Sequence, residues 1–165
     1  MQIIDNLMDE DYLSYLHEIT LGAEFPWYFN EATTGIHGDR DFMFTHMALR
    51  ESGEEGRLFP TLQPMIEKIR LIQPFRGVRR IKVNMYTNQG HAIHHTEHLD
   101  DEAVSSAQMM VGVFSVNTCN GGTVVDGEAV TAQANRLVLF DNVKHHGFLQ
   151  TDTAVRVCIN FNFIR

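Results

Sequence analysis

Four imidazoles and two carboxylates fall within ten residues of this sequence, His91-Ala92-Ile93-His94-His95-Thr96-Glu97-His98-Leu99-Asp100. Imidazole nitrogen and carboxylate oxygen are donors that divalent first-row metals take, so this density predicts a metal site. In a strand, residues two apart share a face, and either His95 with Glu97 or His98 with Asp100 would present an imidazole and a carboxylate together. A second imidazole, from His145 or His146, would complete the two-histidine, one-carboxylate triad that leaves positions open on non-haem Fe(II). In a helix the letters read differently: His94, Glu97 and His98 spell H-x-x-E-H, an inverted zinc-protease motif. No helix-length apolar stripe surrounds it, and the residues that follow are patterned as strands, with no helix to supply the third ligand. The plain alternative is a solvated surface, because H-x-E alone is a short pattern.

The final run carries the second chemical signal. Val155, Val157, Ile159, Phe161 and Phe163 form one apolar face, and Arg156, Cys158, Asn160 and Asn162 form the other. With one face in a core, an arginine and two asparagines on the opposite face need either solvent or a polar cavity. Asn160 and Asn162 fit a cavity lining and backbone satisfaction equally well. Asn135 and Arg136 read as turn-fixing residues. Cys119 and the pair Met109-Met110 read as core.

Positioning these groups requires the rest of the chain. Leu7, Tyr12, Leu13, Leu16 and Ile19 recur at helical spacing between Asp5 and Thr20, with Asp9 as the cap. Phe25-Pro26-Trp27-Tyr28-Phe29 suits a short strand or a docking segment. Thr33 to Arg57 reads as a long loop with one strand through Phe42 to Met47, of a length common in lids. Leu62, Met65, Ile66, Ile69 and Ile72 mark the main helix, with Thr61 as cap and Pro74 as stop. The period then changes to two: Ile81, Val83 and Met85 alternate with Lys82, Asn84 and Tyr86. Further strands are expected over Ala92 to Glu97, Met109 to Val116, Thr123 to Val125, Ala129 to Gln133, Arg136 to Phe140 and Val155 to Phe163. Asn120-Gly121-Gly122 and Asp126-Gly127 supply turns between them. Two helices followed by about eight strands predict an α+β, mainly β fold, with the helices packed on one side of an antiparallel sandwich.

Composition narrows the function further. At 165 residues, 44% hydrophobic and 21% charged, the chain is expected to form a single globular domain over 1–165. Thirteen basic against 21 acidic residues give a net charge of -8, the wrong sign for a general nucleic-acid binder, and the cluster from Arg76 to Lys82 does not reverse it. No apolar run is long enough for a membrane span. Met1 to Glu10 is acidic and lacks an apolar signal core, which predicts a cytoplasmic protein with Cys119 and Cys158 as thiols.

Several segments together resemble the Fe(II)- and 2-oxoglutarate-dependent dioxygenases, in particular their prolyl-4-hydroxylase-like branch and small relatives from phages and marine bacteria. The resemblance spans roughly Phe25 to Phe163. Tyr86, Gly90, His95 and Glu97 resemble the family's Tyr, Gly and H-x-D, with Glu for Asp and the Gly one position late. Asn117 to Thr123, Asn135 to Asp141, His145 to Gly147 and Thr151 to Asn162 carry further pieces. The resemblance implies a double-stranded β-helix, the jelly-roll architecture shared with cupins, holding Fe(II) on His95, Glu97 and His145. The alternates are His98, Asp100 and His146, since His98-Leu99-Asp100 spells the ordinary H-x-D. It also implies that Arg156, eleven residues after His145, clamps the far carboxylate of 2-oxoglutarate, with a hydrogen bond from Tyr86. The planar guanidinium fork suits that carboxylate, and a buried arginine needs an anion. The implied reaction turns 2-oxoglutarate and O2 into succinate and CO2 while oxidising a substrate C–H bond. A protein side chain, a free amino acid or a small metabolite is the expected substrate. The competing expectation is a cupin-type metal-binding barrel that makes no use of 2-oxoglutarate, and Arg156 separates the two.

Overall fold

In the computed structural model, which describes residues 1–34 and 41–165, the chain runs in the order β1 (Gln2–Ile4), α1 (Glu10–Leu21), β2 (Tyr28–Asn30), β3 (Met43–Leu49), α2 (Phe59–Ile72), β4 (Gly77–Thr87), β5 (Met109–Ser115), β6 (Gly122–Val125), β7 (Glu128–Thr131), β8 (Arg136–Asp141), β9 (His145–Phe148) and β10 (Val155–Ile164). A seven-stranded sheet has the order β1-β8-β5-β10-β4-β3-β2, and a three-stranded sheet the order β7-β6-β9. Every pairing is antiparallel. Two antiparallel sheets with helices against one of them form the double-stranded β-helix expected from the sequence. Part of the expected 33–57 loop, residues 35–40, lies outside the described residues.

Alternation along the strands divides the interior in two. Ile81 and Val83 of β4 and Val157, Ile159, Phe161 and Phe163 of β10 pack with Leu16 of α1 and Leu62, Met65, Ile66 and Ile69 of α2. The opposite faces meet the minor sheet, where Tyr86, Val111, Val113, Val125, Val138 and Cys158 form a second cluster. Burying that much apolar surface on the helix side, at ~25 cal/mol per Å2, is what holds the major sheet in place.

Local signals explain most boundaries. Asp9 caps α1 by accepting a hydrogen bond from the Tyr12 backbone N–H at 2.8 Å. The cap expected at Thr61 is displaced by three residues: α2 starts at Phe59, after Leu58, with Pro60 in its first turn, where an N–H has no helical partner to lose. Thr61 instead uses its backbone carbonyl to accept the Tyr12 hydroxyl at 2.8 Å, joining the two helices. Asp126 and Gly127, both at positive φ, form the two-residue turn between β6 and β7. Asn135 also stands at positive φ, and its side chain bonds both the N–H and the carbonyl of Met8, which confirms a structural role. Cys119 and Cys158 are buried free thiols, and Met109 and Met110 are core. Among the described residues, no helix is long and apolar enough to cross a membrane.

Candidate metal centre and its cavity

β4 and β10 lie side by side, and their register lays out the cavity floor in rows: Tyr86 opposite Arg156, Asn84 opposite Cys158, Lys82 opposite Asn160. β9 contributes His145 and Gly147 and β6 contributes Thr123, and together with His95, His98 and Asp100 they enclose a narrow cavity between the two sheets.

The segment from His91 to Asp100 is neither a helix nor an unbroken strand, so the H-x-x-E-H protease geometry does not form. His94 lies opposite Phe148, flanked by bonds from the Leu149 N–H to the Ile93 carbonyl and from the His95 N–H to the Gly147 carbonyl, both 2.9 Å. His98 lies opposite His145, and these two exchange backbone bonds of 2.9 and 3.0 Å. The chain thus advances four residues from His94 to His98 while its partner advances three, a one-residue bulge between His95 and His98. The bulge breaks the alternation. His95 and His98, three apart, both face the cavity, and Asp100 follows His98 onto that side.

Glu97, expected beside His95, is turned outward instead. Its side chain is 47% exposed and stands 3.5 Å from the Lys144 ammonium. The expectation assumed unbroken alternation, and the extra residue removes Glu97 from any grouping with His95 and His145. His146, next to His145 on β9, also faces outward, with Nε2 3.1 Å from His94 Nδ1.

The three groups that converge are His98, Asp100 and His145, whose ligand atoms all lie within 4.8 Å of one another. Donors each ~2 Å from one metal stand roughly 3–4 Å apart, so the spacing is close to that of a formed site. His98 Nδ1 donates to the Thr96 carbonyl at 3.1 Å and His145 Nδ1 to the Val143 carbonyl at 2.9 Å. A carbonyl can only accept, so both protons sit on Nδ1 and both Nε2 lone pairs are available, each 3.8 Å from Asp100 Oδ1. Burial holds the His98 pKa below its ordinary value, helped by His145, which keeps the ring neutral and able to coordinate. Burial by itself would raise the Asp100 carboxyl. His145, Arg80 at 3.3 Å, a 2.7 Å hydrogen bond from Asn162 Nδ2 and His98 together outweigh it and keep the carboxyl below the usual range.

At the other end of the cavity Arg156 is only 2% exposed. Its NH2 group donates to Thr123 Oγ1 at 3.1 Å and its guanidinium carbon lies 5.2 Å from the centre of the Tyr86 ring. Among the described residues, its Nε and NH1 have no hydrogen-bond partner. The His95 ring lies 5.1 Å from that of Tyr86. Gly147 leaves room for both neighbours: a Cβ there would stand 3.1 Å from His95 Nδ1 and 3.4 Å from Arg156 NH1.

Tyr86, His95, His98, Asp100, His145 and Arg156 therefore share one cavity, and Glu97 and His146 lie outside it. Sequence reasoning passed over Lys82, Asn84 and Thr123 as site residues. The first two were findable, since they share the strand face of Tyr86. Thr123 carries no such signal, sitting in a four-residue strand buried throughout. Burial lowers the Lys82 pKa, with Arg80 adding to the effect and Asp100 opposing it.

No protein-family model matches the sequence, and no curated protein matches it. Solved structures do. A prolyl-4-hydroxylase from Pseudomonas putida superposes with a TM-score of 0.67 at 16% identity, over 99% of this chain and 92% of that one. A prolyl hydroxylase from Trichoplax adhaerens, solved with a hypoxia inducible factor peptide fragment, gives 0.68 at 12%, over 99% and 82%. SnoN, a non-haem α-ketoglutarate-dependent epimerase from nogalamycin biosynthesis, gives 0.70 at 13%, over 98% and 77%. Two packed antiparallel sheets with a His-Asp-His cluster and an arginine between them thus have the fold of the Fe(II)/2-oxoglutarate oxygenases.

Proposed function

We propose that this chain is an Fe(II)- and 2-oxoglutarate-dependent oxygenase, acting as a hydroxylase, that oxidises a substrate C–H bond with O2. His98, Asp100 and His145 hold the metal in this reading, Arg156 holds the distal carboxylate of 2-oxoglutarate, and Tyr86 and Thr123 orient the guanidinium. The bound metal and co-substrate supply oxidative decarboxylation, and the chain supplies ligands, orientation and a water-poor cavity.

The observation that carries the reading is Arg156. A guanidinium cannot shed its proton to escape burial, and the partner that would offset its desolvation must be an anion. A dicarboxylate offers one carboxylate to the metal and the other to Arg156. A barrel that only stores or binds metal has no need of a buried cation facing the ligands.

The test is anaerobic addition of Fe(II) and then 2-oxoglutarate, followed by visible spectroscopy and calorimetry. The expected result is a weak charge-transfer band from bidentate chelation of the 2-oxoacid, together with saturable 2-oxoglutarate binding. Stoichiometric iron with neither band nor co-substrate binding would leave a metal-binding barrel that makes no use of 2-oxoglutarate.

A further inference from the structure

We propose that the substrate of this site carries a carboxylate and that Lys82 is its anchoring cation, in a groove running from the metal cluster to the open edge of the major sheet. The inference rests on the oxygenase reading and goes beyond it by naming the chemical class of the molecule to be oxidised.

The location comes from the ladder. Lys82 stands opposite Asn160 of β10 on one side and Met47 of β3 on the other, on the same face of β4 as Asn84 and Tyr86. It therefore lines the metal cavity and also a groove of about 650 Å3 bounded by Tyr28, Asn30, Met43, Thr45 and Met47. Among the described residues, no other is common to both linings.

The charge comes from the pairing around it. Arg79 reaches Asp101 at 2.7 Å and Glu51 at 3.2 Å, and Arg80 reaches Asp100 at 3.3 Å. Arg50, across the groove, is matched by Glu54 at 3.3 Å. Lys82 has no carboxylate within ion-pair distance and no hydrogen-bond acceptor among the described residues, and Arg57 on the groove wall has none either. In a chain of net charge -8, a concave surface with two unmatched cations is an exception that favours an anion. Its walls are mixed: Tyr28 is exposed, Met43 and Met47 are apolar, and Asn30 Nδ2 donates to Thr45 Oγ1 at 2.6 Å. An apolar body ending in a carboxylate matches that lining, as in an acylated amino acid or a peptide C-terminus.

The co-substrate does not account for Lys82. Tyr86, in the row of Arg156, and Lys82 are four residues apart on β4, roughly 13 Å at ~3.3 Å per residue. The two carboxyl carbons of a five-carbon diacid are separated by only about 5 Å, given bonds of ~1.5 Å. The carboxylate held by Arg156 thus lies four residues along the strand from Lys82, and the other is taken up by the metal, which leaves the ammonium for a different anion.

Lys68, Lys82 and Lys144 are the only lysines, so selective 13C-lysine labelling gives three side-chain signals, assigned with Lys68→Arg and Lys144→Arg. The full chain, loaded with Zn(II) and 2-oxoglutarate, is titrated with N-acetylleucine and separately with N-acetylleucinamide, which differ only in the charge. The expected result is a saturable shift of the Lys82 signal with the acid, no movement of the other two, and at least tenfold weaker binding of the amide. Lys82→Met should abolish the preference for the acid and Lys82→Arg should retain it, with thermal melting confirming that both fold. Equal binding of acid and amide, or no shift at Lys82, would overturn the proposal. So would a Lys82→Met variant that loses 2-oxoglutarate affinity, since Lys82 would then serve the co-substrate. The titration repeated without 2-oxoglutarate separates the two ideas: failure of co-substrate binding refutes the oxygenase reading, while the Lys82 shift reports on the groove alone.

Discussion

Asp100→Asn and Glu97→Gln are isosteric changes at two carboxylates three residues apart, and the bulge between His95 and His98 predicts opposite outcomes. Asp100 has a side chain only 5% exposed, with both His98 Nε2 and His145 Nε2 at 3.8 Å. Losing even an outer-shell partner of a ligand costs ~10- to 100-fold in metal affinity, so losing the single anionic donor of a three-donor site should cost at least ~100-fold, about 2.7 kcal/mol. Glu97 pairs with the exposed Lys144, outside the cluster, and its loss should leave metal affinity within about twofold. The assay is anaerobic Fe(II) titration, with Mn(II) and water-proton relaxation as an oxygen-tolerant parallel, after circular dichroism shows that both variants fold. Arg80 keeps Glu51 at 4.0 Å when Asp100 is neutralised, which limits the structural damage. Tight metal binding by Asp100→Asn alongside weak binding by Glu97→Gln would mean that the strand is unbroken and that the cluster described above is not the metal site.

Four further outcomes follow from the geometry. Arg156→Met should weaken 2-oxoglutarate by about 2–5 kcal/mol in calorimetry while iron content stays near wild type, and equal loss of both in a folded protein would make Arg156 structural. Gly147→Ala pushes a methyl group against His95 and Arg156, and a stability loss of ~1–3 kcal/mol with a larger proportional loss of co-substrate affinity is expected from denaturant melts and calorimetry. Asn135→Ala loses both bonds to Met8 and places a Cβ residue without local hydrogen bonding at positive φ, for a cost of ~2–4 kcal/mol, part of which Asn135→Gly should recover. Asp5 has a pKa held below 3.8 by its hydrogen bond to Arg136, so its stabilisation is present above that value and is lost as pH falls through the lowered one. Asp5→Asn should therefore lower Tm by about 2–4 °C or less near neutrality, and the gap should close in acid.

The long strands were legible because their two faces differ chemically. Val157, Ile159 and Phe161 against Arg156, Cys158 and Asn160 announced both a core side and a polar side, and the structure has both. The turn at Asp126-Gly127 and the cap at Asp9 were legible for the same reason, since each needs a particular side chain or backbone freedom. The three-residue β1 and β2 carry too few residues to show a period, and β1 was not anticipated. Both acid pairs were legible, His95 with Glu97 and His98 with Asp100, but the choice between them was not. Nothing local marks the bulge, and its position is set by where the segment meets β9: one residue of slip exchanges every side chain between the two faces. Arg76 to Lys82 looked like one basic cluster, yet acidic partners far away in sequence match Arg79 and Arg80 and, among the described residues, none pairs with Lys82, a distinction made only by tertiary contacts.

The division of β4 and β10 into a helix-facing side and a cavity-facing side bears on how such a molecule can change. Ile81, Val83, Val157 and Ile159 hold the architecture from one surface of the sheet, and Lys82, Asn84, Cys158 and Asn160 display chemistry from the other. Replacements at the second set leave the first untouched, so specificity can drift over generations, or be randomised in a library, without renegotiating the scaffold. A chain can then share only 16% of its residues with the Pseudomonas putida enzyme and still superpose on it over 99% of its length. The partition of the sheet can thus persist while cavity-side positions away from the metal cluster and Arg156 are rewritten.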